Sequence, residues 1–501
     1  MTNRRTLLGA GLCAAAALSS RATHATALVQ AQGCDGSAAD GELSQDAGDL
    51  LPAAVALSDD NNDRAAVSRD FGNIVQGQPR AVLKPGSAAD VSRLVRWAGK
   101  SGHKIAARGQ GHSTYGRALT EGGIVIEMTS LNAIHHIAAD RIVVDAGTTW
   151  ERVLEATLAQ GLTPPVLTNY LGLSVGGTIS VGGIGGSSSR RGMQTDHVLA
   201  LDMVTGTGEQ LTCSPQSHAD LFDAARAGLA QCGLITRATL NLVRAPERVR
   251  RYQLFYRDLA SLAADQRRAL HDDRFDQLQG AILPAGPGRW RYQLEGAVFY
   301  DKGSPPNDGA VLGSLADDRN TAVITDLAYH DDALAFAKLE ALLRSKGLWS
   351  SPHPWLFTFL PDGNAEHQAD GMIGRLSVEE IGPLGRVTFY PLNTHASGTP
   401  LVRWPDGNIA FCFNIVHMPG AGRCDRGWSD AVEKPPVLRA DPRRGRRPIS
   451  RQRASHGAGG LGTSLRRGLA EAARRQAALR SDQSADPRLQ SVLIPTPREQ
   501  K

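Results

Sequence analysis

A short stretch at residues 108–113, Arg-Gly-Gln-Gly-His-Ser, places a histidine directly after two closely spaced glycines. Glycine tolerates positive φ and close backbone approach, so Gly109 and Gly111 could turn successive N–H groups toward a phosphate-bearing ligand. His112 would then lie beside that ligand, and a neutral imidazole nitrogen is a nucleophile that needs no strong activating base. Taken alone, such a loop is more often a tight turn with a surface histidine. Its interpretation therefore depends on the elements around it.

Strand and helix patterns alternate around this loop. An apolar run at residues 104–107 predicts a strand that leads into it, and a helix is predicted to start at Ser87 with Val91, Leu94, Val95 and Ala98 on one face. Further elements are predicted at these positions: strands at 81–84, 124–126, 142–144 and 234–242, and helices from about 149 and at 219–227. The alternation favours an α+β domain.

A second glycine-rich run follows at residues 168–186. It could be a flexible linker, but Val175, Ile179, Val181 and Ile184 are interleaved with its glycines, which favours a packed ligand loop. The chain has no Gly-x-Gly-x-x-Gly after a strand and no Gly-Lys-Ser/Thr loop. A diffusible nicotinamide or ATP cofactor is therefore not indicated.

Several motifs in this order resemble those of FAD-linked oxidases with a vanillyl-alcohol-oxidase-type (PCMH-type) flavin domain, and most closely the cytokinin dehydrogenase family. They are the glycine-histidine-serine loop, the Tyr-Leu-x-Leu-Ser-Val-Gly-Gly-Thr run at 170–178, the Asp-Met-Val-Thr-Gly-x-Gly stretch at 202–208, residues 229–238, and His-Pro-Trp-Leu at 353–356. The likeness covers about residues 75–420. It implies an α+β, two-domain PCMH-type FAD-binding fold with a smaller α+β substrate (cap) domain.

The resemblance also implies the site. FAD would lie extended, with His112 bonded covalently to the 8α-methyl carbon of the flavin. The residues expected to contact the cofactor are Ala107, Gly109, Gly111, His112, Ser113, Arg117, Asn169, Ser174, Ser180, Ile184 and Ile235. The catalytic positions are Asn169 and Gln279, and no metal is expected.

Both catalytic positions depart from the family, which has an aspartate where Asn169 stands and a glutamate that aligns with Gln279. An amide can donate or accept a hydrogen bond but cannot take a proton near neutral pH. Arg117 stands where the family often has glutamine. The implied reaction is oxidation of the side chain of an N6-isoprenoid adenine, with hydride passing to N5 of FAD. A related oxidase of alcohols or sugars, and a flavin-binding remnant with little turnover, stay open.

The N-terminus, residues 1–27, is typical of a twin-arginine export signal. Arg4 and Arg5 precede an Ala/Gly/Leu-rich run, and Ala25-Thr26-Ala27 offers a cleavage site. The alternative is a disordered leader with chance arginines. The apolar stretch is too short to span a bilayer permanently, so we expect an exported, periplasmic or secreted protein with no stable membrane span.

The remaining organisation follows from composition. Residues 28–74 are predicted to be an N-terminal arm with little regular structure, 75–245 the FAD-binding domain, 246–420 the substrate domain and 421–501 an atypical tail. The 501-residue chain has a net charge of +5, but the tail alone holds 18 Lys+Arg against 8 Asp+Glu. A disordered or frame-altered end is favoured over a basic nucleic-acid arm, because Trp428 is the tail's one aromatic residue.

The cysteine spacing limits which metal and disulfide sites the chain could form. The six cysteines include no Cys-x-x-Cys pair, so neither a zinc site nor a disulfide framework is indicated. The expected partner is a small-molecule substrate and not nucleic acid. The electron acceptor, oxygen or a quinone, is left open by the sequence.

Overall fold

The computed structural model describes residues 57–418 except Pro287 and Pro383. The predicted export signal, the first part of the N-terminal arm and the tail from residue 421 lie outside the described residues. The described chain folds as mixed helices and sheets in two domains, an FAD-binding domain followed by a second domain. This confirms the α+β, two-domain fold class.

The first domain contains two main sheets with helices packed against them. Its elements are β1 (Leu57–Ser58), α1 (Asn61–Ala66), β2 (Ala81–Leu83), α2 (Ala88–Ser101), β3 (Ile105–Arg108), β4 (Ile124–Glu127), β5 (Ile134–Ile137), β6 (Arg141–Asp145), α3 (Trp150–Leu158), β7 (Leu162–Thr163), α4 (Val175–Val181), α5 (Ser188–Arg191), β8 (Val198–Val204), β9 (Gln210–Cys213), α6 (Ala219–Ala225), β10 (Leu234–Asn241) and β11 (Val243–Arg244). One sheet has the order β1-β2-β4-β3, with β2, β4 and β3 parallel, and the other is antiparallel in the order β5-β6-β10-β8-β9.

Helix α2 shows how the sequence sets the position of these elements. It begins directly after Ser87 and ends at Gly102, whose φ of +72° is the left-handed conformation that glycine adopts readily. Val91 and Leu94, on the predicted apolar face, are fully buried. Both belong to the same hydrophobic core as Leu83 of β2 and Ile126 of β4, in the sheet that delivers the loop after β3.

The second domain is built on one antiparallel seven-stranded sheet in the order β15-β12-β14-β13-β17-β18-β16. Its elements are β12 (Arg248–Tyr256), α7 (Leu259–His271), β13 (Gln277–Pro284), β14 (Trp290–Tyr300), α8 (Asp308–Leu312), β15 (Val323–Ala328), α9 (Tyr329–Ala333), α10 (Ala335–Ser345), β16 (Trp355–Pro361), α11 (Ala365–Ile373), α12 (Val378–Ile381), β17 (Arg386–Asn393) and β18 (Ile409–Val416).

The two faces of this sheet have different roles because side chains alternate along a strand. Leu278, Phe389 and Phe411 point into one core with residues of α7 and α11. Tyr390 and Cys412 belong to a separate cluster on the other face, against which Ile184 of the first domain packs. The second domain therefore presents one face of its sheet to the flavin domain.

One expectation about regular structure is corrected, and one alternative that the sequence left open is excluded. Residues 28–74 were expected to have little regular structure, but their described part contains β1 and α1, and Leu57 pairs with Leu83 of β2. The linker interpretation of the glycine-rich run is also wrong, because the run contains α4 and α5. Gly182 and Gly183 follow α4 with φ of +119° and +73°, conformations that explain why glycine is needed there.

Candidate functional site

The predicted glycine loop begins where β3 ends and lies against the start of α4. A side chain at Gly109 would overlap the Ser174 hydroxyl, and one at Gly111 would overlap the Arg108 guanidinium. Gly111 also has a φ of +71°. Gly109 is therefore required by close approach to Ser174, and Gly111 by its backbone conformation.

Ser174 is the side chain that joins this loop to α4. It is 4% exposed, and its hydroxyl has no hydrogen-bond partner among the described residues. The chain beside it is anchored, since the Val175 N–H donates to the Thr148 carbonyl at 2.9 Å and the Gly176 N–H to the Ala146 carbonyl at 2.8 Å. An unpartnered hydroxyl on a largely buried residue, next to glycine backbone, suits a ligand with phosphate oxygens, as FAD has.

His112 lies in a cluster of aromatic rings contributed by both domains. Its ring centroid is 3.6 Å from that of Phe71, 5.2 Å from Tyr170, 5.7 Å from Trp355 and 5.8 Å from Trp349. Burial, followed by the effects of His353 and Arg344, lowers the pKa of His112 to about 3. Within the described part of the chain the imidazole has no hydrogen-bond partner. It is therefore neutral, and one ring nitrogen keeps a free lone pair, as attachment to a flavin carbon requires.

Tyr170 connects this cluster to a carboxylate on α10. Its phenol donates to Oε1 of Glu340 at 2.9 Å, and Nε of Arg344 donates to the same oxygen at 2.7 Å. The Arg344 guanidinium lies 4.9 Å from the Trp349 ring centroid. Burial, and then Glu340, raise the pKa of Tyr170. The phenol is therefore a neutral donor held in one orientation.

Asn169, directly before Tyr170, is exposed. Its carboxamide makes no hydrogen bond to any other described residue. Asn169, the predicted catalytic amide, thus directly precedes Tyr170, whose ring contacts His112. The polar atoms of the Asn169 side chain are free to bind a ligand.

Gln279 is on the flavin-facing side of the second-domain sheet and is 7% exposed. The Gln279 amide and the Cys412 thiol both lie beside the Tyr390 phenol and affect its pKa. Burial raises the pKa of Cys412 to about 12 and that of Tyr390 well above its ordinary value. Ile184 of the flavin domain packs against the same cluster. Ile184, a predicted cofactor contact, and Gln279, a predicted catalytic residue, therefore both lie beside Tyr390.

The other predicted cofactor contacts have varied surroundings. The Ser113 carbonyl accepts the Phe71 N–H at 3.0 Å, and the Ser180 hydroxyl donates to the Gly176 carbonyl at 2.7 Å inside α4. The side chains of Ala107 and Ile235 pack with the flavin-domain core, and Arg117 is exposed. The structure does not bring these last three into the cluster around His112, and their contacts with the cofactor stay predictions.

Several residues at the site were missed by sequence reasoning: Phe71, Phe336, Glu340, Arg344 and Trp349. Phe71 lies in a stretch without periodicity, so no local signal marked it. Glu340 and Arg344 follow an ordinary i, i+4 surface spacing on a helix. The one available signal was Trp349, which stands shortly before the family-like motif at 353–356.

A separate cavity of about 230 Å³ lies at the seam of the two domains, away from His112. Its charged lining residues are largely paired, with Arg244 on Asp301 at 2.8 Å and Asp276 on Arg190 at 2.9 Å. None of the aromatic residues around His112 lines it. We assign it no chemistry.

Comparisons with known proteins agree with this geometry. An FAD binding domain family matches residues 79–214, and a family described as cytokinin dehydrogenase 1, FAD and cytokinin binding, matches residues 277–431. An uncharacterised oxidoreductase of the fasciation locus of Rhodococcoides fascians is 38% identical over 70% of this chain and 80% of its own length. Cytokinin dehydrogenase 4 of Arabidopsis thaliana is 35% identical over 72% of this chain and 78% of its own length, and cytokinin dehydrogenase 7 of rice is 36% identical over 70% and 75%.

The fold and the site define an FAD-dependent oxidoreductase with a flavin domain and a second, substrate-binding domain. More specifically, the chain belongs to the cytokinin dehydrogenase family. The family resemblance predicted from the sequence is confirmed. Within residues 57–418, no helix is long and apolar enough to cross a membrane, and the described histidine, cysteine and acidic side chains form no group of three that could hold a metal ion.

Proposed function

We propose that this chain oxidises the side chain of N6-isoprenoid adenines. Hydride leaves the carbon next to the secondary amine, the amine loses its proton, and water hydrolyses the resulting imine to adenine and an unsaturated aldehyde. When bound, FAD supplies the two-electron acceptor for this step. The observation that carries the proposal is the neutral, unpartnered His112, enclosed by aromatic rings. One of these rings belongs to Tyr170, the residue directly after Asn169, whose amide is free.

The attachment of FAD through His112 is part of the proposal. Linkage forms a bond between an imidazole nitrogen and the 8α carbon, and it releases two protons and two electrons. The electrons pass to the oxygen or quinone that also accepts them during turnover. The low pKa of His112 supports this role, because a protonated ring would have no lone pair to form the bond.

The chain's own groups would bind and orient the substrate rather than deprotonate it. Asn169 can accept a hydrogen bond from the substrate amine but cannot take its proton. Gln279 lies beside Tyr390, and Tyr170 donates to Glu340. Rate enhancement therefore rests on placing the substrate C–H beside the flavin and excluding water, with little help from a general base.

A second candidate, a flavin oxidase of alcohols or sugars, is favoured by the same two amides, because they suit neutral polar substrates. A flavin-binding remnant is the third candidate. Anaerobic bleaching of the bound flavin separates them when isoprenoid adenines, alditols and sugars are tested in parallel. Bleaching by isopentenyladenine supports the proposal, bleaching by alditols or sugars alone replaces it with the second candidate, and a flavin that no compound bleaches favours the third.

We further propose that the protein is exported by the twin-arginine route, from the paired Arg4 and Arg5 and the run that follows them. These residues lie outside the described range. This route carries folded proteins, which suits a cofactor that is loaded before export.

A further inference from the structure

We propose that Phe71 is a positioning residue that fixes the His112 ring for attachment to FAD, by bridging the flavin-domain loop and the segment before β16. This inference rests on the proposed covalent attachment. Phe71 lies in residues 69–75, which precede both family-matched ranges.

Phe71 has the closest ring contact of any aromatic side chain that touches His112, at 3.6 Å between centroids with a 37° interplanar angle. Its other ring contacts all belong to the segment before and at the start of β16: His353 at 4.4 Å, Trp349 at 5.1 Å and Trp355 at 6.2 Å. One side chain thus touches the predicted attachment residue and three residues of the second domain.

Hydrogen bonds hold Phe71 in this place from the flavin-domain side. Its N–H donates to the Ser113 carbonyl at 3.0 Å, one residue after His112. The neighbouring Asp70 is 6% exposed and accepts from the N–H groups of Ile74 at 2.9 Å, Val75 at 3.2 Å and Gly116 at 3.3 Å. The carboxylate therefore ties the turn at residues 70–75 to the loop that carries His112.

Two further hydrogen bonds hold the same turn to the second domain. The His353 N–H donates to the Gly72 carbonyl at 3.1 Å, and the Asn73 carboxamide donates to the Ser350 carbonyl at 3.0 Å. His353 is 1% exposed, and its ring is bonded through Nδ1 to the Ser351 carbonyl at 2.5 Å. The turn is therefore fixed on both sides.

A flat ring suits this position. It can lie against the imidazole and exclude water without offering a hydrogen bond that would compete for the ring nitrogen. The titratable and charged groups near His112 are His353, Tyr170, Glu340, Arg344 and Asp70. None of them needs to change protonation for Phe71 to act. Removing the Phe71 ring should therefore change the orientation and solvent exposure of His112 while leaving these groups in place.

The test uses the full chain prepared without flavin, as wild type, Phe71→Leu and, as a matched control, Phe255→Leu. Phe255 is on β12, in contact with Arg291 and not with the aromatic cluster. FAD is added, and the acid-stable flavin is followed with time. We expect Phe71→Leu to slow attachment about tenfold or more, since small displacements of reacting groups have effects of that size. The Phe255→Leu control should stay within about twofold of wild type.

A second readout is the titration of His112 in the flavin-free chain by NMR of labelled histidine, assigned with His112→Gln. In Phe71→Leu the pKa of His112 should rise toward its ordinary value, because water reaches the ring. Attachment and titration both as in wild type would overturn the inference. If wild type itself acquires no acid-stable flavin, the proposed attachment is wrong, and the titration alone then decides whether Phe71 positions His112.

Discussion

The phenol of Tyr170 donates a 2.9 Å hydrogen bond to Glu340, which places a carboxylate beside the ring that contacts His112. Directly before Tyr170, Asn169 stands where the family resemblance implies an aspartate. The site therefore keeps a negative charge on Glu340, but not on the residue proposed to touch the substrate. Arg344 balances that charge at 2.7 Å. If Asn169 binds the substrate amine as proposed, the site would orient the substrate more than remove its proton.

Restoring the family acid should speed oxidation of isopentenyladenine. We expect Asn169→Asp to raise the single-turnover rate of flavin reduction, within the 10²- to 10⁴-fold range that general bases typically contribute, at pH values above the pKa of the new carboxylate. Binding should change less than the rate. Asn169→Ala is the control for loss of the amide. A rate unchanged by the aspartate, with fast reduction by an alcohol or sugar, would show that Asn169 serves another substrate.

The pKa of Tyr170 should respond to Glu340. The carboxylate disfavours the phenolate, and Arg344 favours it, so Glu340→Gln should move the pKa of Tyr170 down toward its ordinary value. The difference in ultraviolet titration between Glu340→Gln and Glu340→Gln/Tyr170→Phe isolates this one tyrosine. A Tyr170 pKa that did not move would mean that burial alone sets it.

Acid should destabilise the flavin-free protein partly through His112. Its pKa falls from 6.5 to about 3 on folding, so the folded state is favoured above pH 6.5 and loses this contribution as the pH falls toward 3. One such group changes the free energy of unfolding by about 1.4 kcal/mol per pH unit in that window. Urea titrations across this range should show a shallower pH dependence for His112→Gln. Parallel curves for both proteins would contradict the burial of a neutral imidazole.

Export should depend on the paired arginines. Replacing Arg4 and Arg5 by lysine should retain the protein in the cytoplasm, whereas wild type should appear outside it with an N-terminus at or near Leu28. Cell fractionation and N-terminal sequencing measure both. Export that persists after the double replacement would show that residues 1–27 are not a twin-arginine signal.

Local patterns predicted eight of the seventeen helices and strands named above for the flavin domain. Val91 and Leu94 gave the face of α2, and Gly109 and Gly111 identified a loop whose close approaches and positive φ do need glycine. The ring cluster around His112 could not be predicted in this way. Phe71 and Trp349 are separated by 278 positions in the chain and meet through tertiary packing at 5.1 Å, which neither periodicity nor spacing encodes.

The same limit applies to Gln279. The strand pattern indicated a second domain, but not that Gln279 would share a sheet face with Tyr390 and Cys412. Cross-strand neighbours depend on strand order, and β13 lies beside β17, which follows it by about a hundred residues. Register of this kind is set by the assembled sheet.

The most direct test of the account is acid precipitation of the flavin-loaded full chain, in wild type and in His112→Ala. Because a neutral His112 is enclosed beside the predicted FAD cradle, the wild-type pellet should keep its yellow colour, and the His112→Ala protein should release flavin to the supernatant. A colourless wild-type pellet, or a yellow pellet from His112→Ala, would contradict the assignment of His112 as the residue that holds FAD.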